Sequence, residues 1–443
     1  MEVITFISTF PPMICGIGTY TKYLSDHIHP DLWRVVSFRL NEFSSSGEVL
    51  SPDVRKHVDY YFSFPNPSLP PYCEHGLLWF QHAFGMWGNS GDHFLTLLEE
   101  GRRRANSIVV SCHTIHFESK DTSFGMHPKE VELLKQTLPL VDALTVFTDG
   151  ARRAVVRAFP EHREKIVVLR HGVHMYPNVP MREARKEFLS YLINRAQIPF
   201  FQKRELMAIE KDFYSKQTIL LGNYGFITSD KDPLQLYKLG RQVQEELPQH
   251  KVITVFAGII QRRKDKRINS YTAILEKLKS IHDGRRNFFF ELYIPEDIFP
   301  LAYGALDFAV FWCNNATQSG RMAHAQGTST MVVGRDWEGV GETLKLAGLP
   351  AAKNFGDLAK SIADIFAEPG LRQEIHRQGQ KYTQKFSFYS QAQKHLMLAE
   401  AVKNQEKLPP LDRSVEDDFY MGKISNWDSR GFEESRKIYR FHS

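Results

Sequence analysis

The sequence predicts an α/β protein of two doubly wound units, each with a parallel sheet. Three observations predict it. Short apolar, β-branched or aromatic runs alternate with helical patterns from residue 3 to residue 174. The alternation breaks between Met175 and about Lys216, where a charged helical pattern is punctuated by Pro177, Pro180 and Pro199, and then resumes. In both halves the runs end in loops of Gly, His, Ser or Thr, at the strand ends where such sheets bind ligands.

At 443 residues the chain is long enough for two or three domains, each with its own core. A hydrophobic content of 42% and a charged content of 24% are those of an ordinary globular protein. The net charge of +5 suits anionic substrates or a membrane surface and proves neither. Cys15, Cys73, Cys112 and Cys313 are far apart, which argues against a zinc site or a disulfide framework and fits a reducing compartment. The N-terminus enters a strand at once, so no signal peptide is expected. No apolar run approaches the ~20 residues that span a bilayer. The expectation is a cytosolic chain, free or peripheral at the inner membrane face. No nucleic-acid partner is expected.

Val3–Ile7 reads as a strand, Ser8–Thr19 as a loop with two prolines and two glycines, and Tyr20–His27 as a helix. Gly16 and Gly18 would let backbone approach a ligand, although a plain tight turn explains them equally. Leu77–His82, Ser107–Cys112, Ala143–Phe147 and Ile166–Leu169 are further strands, with a helix at Ala151–Phe159. His82, His113 and His171 fall at strand ends, where a histidine is either functional or a structural hydrogen-bonder. The break holds a helix pair around Ala184–Ala196 and Lys203–Tyr214. Beyond it, Thr218–Leu221, Val252–Phe256 and Phe288–Leu292 are strands. The first leads into Gly222–Pro233 and a helix. The basic run Arg262–Arg267 reads as a solvated loop rather than a binding site. Phe432–Phe441 fits a final helix. There is no internal repeat.

The stretch from Leu306 to Val333 organises the second half. Leu306–Trp312 is a buried-strand pattern, Cys313–Gly320 a polar loop, Arg321–Gly327 a helix start and Thr328–Val333 the next strand. Thr317, Gln318, Ser319 and Gly320 then sit at a helix N-terminus, which favours a phosphate; a βα turn capped by Ser or Thr is the competing reading.

In order, these segments resemble the GT-B glycosyltransferases of family four, which are retaining and use nucleotide sugars. Phe10-Pro-Pro…Cys15-Gly-Ile-Gly-Thr-Tyr20 is similar to the family's first Gly-rich loop. Gln81–Met86 and Cys112-His-Thr114 look like its next two strand ends, and Val168–His174 like the close of its N-terminal domain. Gly225-Phe-Ile-Thr-Ser-Asp-Lys231 looks like its phosphate loop. Tyr293–Asp307 and Ala316–Ala325 look like its nucleotide-binding core, and Lys385–Tyr389 like the step before its last helix.

The resemblance implies two Rossmann-like domains facing each other across a cleft. The divisions expected are an acceptor domain at 1–175, a crossing with inserted helices at 176–216, a nucleotide-sugar domain at 217–395, and a helix and tail returning to the first domain at 396–443. It implies catalytic roles for His113 and Lys231, and donor contacts from Gly16, Gly18, Thr228, Gln318, Ser319, Gly320 and His324. Arg262, Arg263 and Arg321 are candidate phosphate cations, with Lys264 beside them. The donor implied is a UDP- or GDP-sugar and the acceptor is open. No cofactor and no obligatory metal are expected, since front-face attack needs no protein nucleophile and there is no Asp-x-Asp motif. Two departures bear on activity. Ala316 and His324 stand where many members carry paired glutamates, and Phe226 and Thr228 stand where an arginine usually precedes the lysine. A non-catalytic homologue and a GT-B sugar phosphorylase using pyridoxal phosphate are therefore the alternatives.

Overall fold

Leu77-Leu-Trp-Phe-Gln-His82 is buried at every residue, and so is Phe308-Ala-Val-Phe311. Strands apolar on both faces must be covered on both faces, which parallel sheets with crossover helices achieve. The computed structural model describes residues 3–43, 45–47, 49–63, 67–87, 92–260, 268–328 and 330–414. Its first unit runs β1 (Ile4–Ile7), α1 (Gly16–Ser25), β2 (Trp33–Phe38), α2 (Pro52–Arg55), β3 (Val58–Phe62), β4 (Leu77–His82), α3 (Asp92–Arg103), β5 (Ser107–Cys112), α4 (Pro128–Thr137), β6 (Ala143–Val146), α5 (Asp149–Ala158) and β7 (Ile166–Val168). The seven strands are parallel, in the order β3-β2-β1-β4-β5-β6-β7. The order reverses direction between β1 and β4, which opens a crevice at their C-terminal ends.

The second unit runs α6 (Met181–Asn194), α7 (Phe200–Ala208), α8 (Glu210–Tyr214), β8 (Thr218–Tyr224), α9 (Leu234–Glu246), β9 (Lys251–Ala257), α10 (Ile268–Ile281), β10 (Asn287–Phe290), α11 (Phe299–Gly304), β11 (Phe308–Phe311), α12 (Gly320–Gln326), β12 (Met331–Arg335), α13 (Glu338–Leu346), β13 (Ala351–Ala352), α14 (Phe355–Ala367) and α15 (Pro369–Lys385). The six parallel strands lie in the order β10-β9-β8-β11-β12-β13, with the switch between β8 and β11. Two parallel sheets in doubly wound order match the fold class expected from the alternation.

Several elements differ from the sequence reading. Strands β2, β3 and β13 were not anticipated. The expected helix pair in the break is three helices. Ala184, Phe188, Leu192, Leu206 and Phe213 of these helices join the core of the second sheet. Arg185 anchors them, donating to Asp307 Oδ2 at 2.6 Å and to the Ala305 and Phe213 carbonyls. The first Gly-rich loop ends early, because α1 already begins at Gly16. Phe432–Phe441 lies outside the described residues.

The chain crosses between the units twice, side by side. Val173 N donates to Phe386 O at 2.9 Å and Phe388 N to Val173 O at 3.0 Å. After the second crossing α16 (Phe388–Lys403) packs on the first sheet, where Phe388, Ala392 and Leu398 share a core with Ile4, Phe6 and Trp79. Beside the crossings lies Arg170, whose side chain is 1% exposed. It pairs with Asp149 of the first unit at 2.5 Å and with Glu342 of the second at 2.9 Å. Glu342 also accepts from the N–H groups of Asp149 and Gly150, both at 2.8 Å, and so caps the N-terminus of α5 from the other unit. Burial alone would raise the Glu342 carboxyl; Arg170 and Arg153 hold it below the usual range.

Removing one member of a buried ion network strands its partners without compensation. Arg170→Met is expected to destabilise the protein by about 3–5 kcal/mol. The check is a lower urea midpoint, with the loss of cooperation between the two units read by hydrogen exchange.

Candidate functional site

The switch point of the second sheet brings together the loops after β8 and β11. Gly225, at φ +132°, follows β8, and a Cβ there would lie 2.3 Å from Arg321 Cδ. The absent side chain makes room for Arg321, whose Nη1 donates to Tyr224 O at 2.5 Å and whose Nε is buried without a partner. Thr228, Asp230 and Lys231 follow in a tight turn, with Lys231 N donating to Thr228 Oγ1 at 3.3 Å. The backbone N–H groups of Asn314 and Asn315 donate to Asp230 O at 2.8 and 3.2 Å and tie the two loops together. Lys231 and Arg321 thus stand as two cations at one strand-end crevice. Burial, then the charge of Arg321, pushes the Lys231 amine down to about 7. The resulting penalty on the fold is in full force below about pH 7 and fades as the pH rises from there towards 10.5.

The loop at 317–320 reaches across to the first unit. Thr317 Oγ1 donates to His113 O at 3.0 Å. A Cβ on Gly320 would lie 3.8 Å from His171 Nε2, so this exposed glycine faces the first unit with room to spare. Gln318 Oε1 is buried without a partner. Ser319 is the N-cap of α12, and its hydroxyl accepts from Met322 N at 3.3 Å. That is the βα-turn reading of the stretch, and α12 has only seven residues to build a dipole.

His113, at the end of β5, is 2% exposed and lies edge-on to Tyr20 and Phe147. Its Nε2 faces Gln81 Oε1 at 2.6 Å, so with the amide oxygen accepting, Nε2 carries the proton and Nδ1 is left as an acceptor. Burial, together with His171, His82 and His395, holds its pKa well below the ordinary value, so the ring is neutral. Gln81 Nε2 and Thr114 Oγ1 beside it are buried without partners. The sequence reading named Gln81 in a strand-end motif but gave it no role; its signal was a polar residue inside a fully buried strand.

The remaining expectations are distributed as follows. Gly16 is exposed with open space about it, while Gly18 packs α1 against Thr9 and Phe10, where a Cβ would meet backbone at 3.1 Å. Gly18 is therefore a packing glycine within α1. His324 is 6% exposed and stacks on His174 at 4.0 Å and on Phe299 at 4.7 Å, and its Nδ1 meets Tyr176 OH at 2.5 Å. Burial pushes its pKa down to about 3. Arg262, Arg263 and Lys264 lie outside the described residues. Among the described residues no group of three His, Cys, Asp or Glu side chains is placed to hold a metal ion.

Two contacts across the cleft were not anticipated. Glu338, 2% exposed, accepts from Phe117 N and Glu118 N at 3.0 Å each. His116 pairs with Glu130 through Nδ1 at 2.6 Å and meets Asn315 through Nε2.

Because the Arg321 charge helps depress Lys231, Arg321→Met should raise the Lys231 pKa from about 7 towards the ordinary lysine value. A pH titration of isotope-labelled lysine side chains by NMR reads the shift directly.

No protein-family model matches the chain, and no curated protein is similar to it in sequence. Solved structures do resemble it. One from E. coli, described as trehalose-6-phosphate bound with UDP-2-fluoro glucose, superposes with a TM-score of 0.60 at 13% identity over 91% of this chain and 99% of that one. A UDP-forming α,α-trehalose-phosphate synthase from Burkholderia vietnamiensis gives 0.63 at 12% over 91% and 99%. Anabaena HepE in complex with UDP gives 0.58 at 13% over 89% and 98%. The likeness spans both sheets and the cleft between them: the chain has the GT-B fold.

Proposed function

We propose that the chain is a retaining glycosyltransferase that moves a hexose from a UDP- or GDP-sugar to a glycan, lipid-linked or small-molecule acceptor. The observation that carries this is the convergence of Lys231 and Arg321 at the switch point of the second sheet, on a loop whose Thr317 and Gly320 approach the neutral His113 and His171 of the first unit. Two cations held in a partly buried crevice suit a diphosphate leaving group. The names of two proteins of like fold add support, one bound with UDP-2-fluoro glucose and one with UDP.

In this reading the donor diphosphate lies against Lys231 and Arg321, with Gln318 and the Gly320 backbone beside it. Arg321 supplies, from α12, the cation missing before Lys231. The bond from the anomeric carbon to the phosphate oxygen breaks as the acceptor oxygen bonds to that carbon from the same face. The acceptor proton passes to the leaving phosphate. Lys231 and Arg321 stabilise the charge that builds there, and His113 Nδ1 accepts from a sugar or acceptor hydroxyl. No resident metal or cofactor is required by this scheme.

A second reading, a non-catalytic homologue, is favoured by His324. It occupies the position of the family's ribose-binding glutamate, and Tyr176, His174 and Phe299 enclose it. Incubation with a panel of UDP-, GDP- and ADP-sugars separates the two. Transfer, or slow sugar release without acceptor, supports the enzyme. Nucleotide binding with neither reaction supports the homologue.

Lys231→Ala should weaken nucleotide-sugar binding about tenfold or more, since charge-assisted hydrogen bonds contribute ~1.5–3 kcal/mol. An adjacent diphosphate raises the Lys231 pKa from about 7, so near pH 8 binding should take up a proton. Calorimetry in buffers of different ionisation enthalpy measures that uptake, which Lys231→Ala should abolish. Gly320→Val should block the donor while leaving the melting temperature close to that of the parent.

A further inference from the structure

Helix α7 presents large apolar side chains to solvent. Phe200, Phe201 and Met207 are 73%, 56% and 52% exposed. Phe200 and Met207 lie seven residues apart, two helical turns on one face, with Phe201 beside them. The opposite face holds the helix in place: Leu206 is fully buried, and Gln202 donates to Phe289 O at 3.0 Å. Single exposed apolar residues are ordinary on a protein surface; three on one short helix make a patch.

The charges around the patch are uneven. Lys203 and Arg204 lie on α7 and Lys211 follows on α8. Arg285 and Arg286 lie in the loop whose Gly284 packs on the Glu205 side chain. Among the described residues none of these five cations is paired with an acid. The acids close by keep their charge but are largely turned to other partners. Glu205 pairs with His282 at 2.8 Å and Asp212 with Lys251 at 2.5 Å. Asp283 accepts from the N–H groups of Arg285, Arg286 and Asn287. Glu187 and Glu210, both beside Tyr214, are the acids left over. An apolar patch bordered by unpaired cations complements an anionic bilayer surface, where rings enter the headgroup boundary and cations meet lipid phosphates.

We propose that α7, with its flanking basic residues, is a docking surface for an anionic membrane. The inference is independent of the transfer reaction, because it concerns where the chain sits and involves no residue of the cleft.

The test uses the full chain and vesicle co-sedimentation. Phosphatidylcholine vesicles containing phosphatidylglycerol are compared with phosphatidylcholine alone. Binding to the anionic vesicles is expected, weakening as salt is added. The double variant Phe200→Ser with Phe201→Ser should bind about tenfold more weakly, as should Lys203→Glu with Arg204→Glu. Met397→Ser removes an exposed apolar side chain elsewhere and should bind like the parent. All these side chains are at least partly exposed, so melting temperatures should match. Equal pelleting of parent and α7 variants would overturn the proposal, as would equal binding to neutral vesicles. So would a parent dimer that the phenylalanine variant converts to monomer without vesicle binding; the patch would then be a contact between copies of this chain. Transfer to a soluble acceptor stays unchanged in the α7 variants, so loss of docking is distinguishable from failure of the enzymatic reading.

Discussion

The arrangement of the cleft depends on one buried cation. Arg170 follows β7, at the edge of the first sheet, and its guanidinium joins Asp149 on one side of the domain boundary to Glu342 on the other. Its backbone N–H donates to Asp412, which also pairs with Lys394 of α16 at 2.5 Å. Arg170, Asp149 and Asp412 are desolvated, so each is stable only while its partners stay in place. The network therefore sets the relative position of the two sheets. The α5 N-terminus, capped by Glu342, and the strand-end loops of both units follow from it.

With the sheets so placed, the loop after β11 meets the strand-end loops after β5 and β7. It is the piece that serves both units. It is fastened to the β8 loop through Asp230 and to the first unit through Thr317 and His113. Lys231 and Arg321 belong to elements far apart in sequence, and burial, with the Arg321 charge added to it, is what makes the lysine amine easy to deprotonate. A cation that is costly to keep charged when alone becomes favourable when an anion arrives, which couples ligand binding to proton uptake.

His324 illustrates a different balance. A glutamate at this position would bring a charge into a cluster made of Tyr23, His174, Tyr176 and Phe299. The neutral imidazole is accommodated by stacking and by one hydrogen bond. The neutral ring thus adds to the packing between the two units, through Tyr23 on one side and Phe299 on the other.

The sequence by itself determined the class of fold. The alternation of buried strands and helices is a local pattern, and the core strands Leu77–His82 and Ser107–Cys112 could be delimited from it to the residue. Strands β2 and β3, out towards the sheet edge, lacked a flanking signal strong enough to be separated from loop. The strand-end places of Lys231, His113 and the 317–320 loop were legible from the alternation, and strand ends are where doubly wound sheets offer a crevice. Only the tertiary structure decided which of these residues meet. Gly18 became a packing residue because α1 lies against Thr9 and Phe10, a contact with no trace in local sequence. Arg321 came to Lys231, Gln81 to His113, and Glu342 to the start of α5, because pairing across distant segments is fixed by strand order and domain packing. Neither leaves a mark in the spacing of residues along the chain.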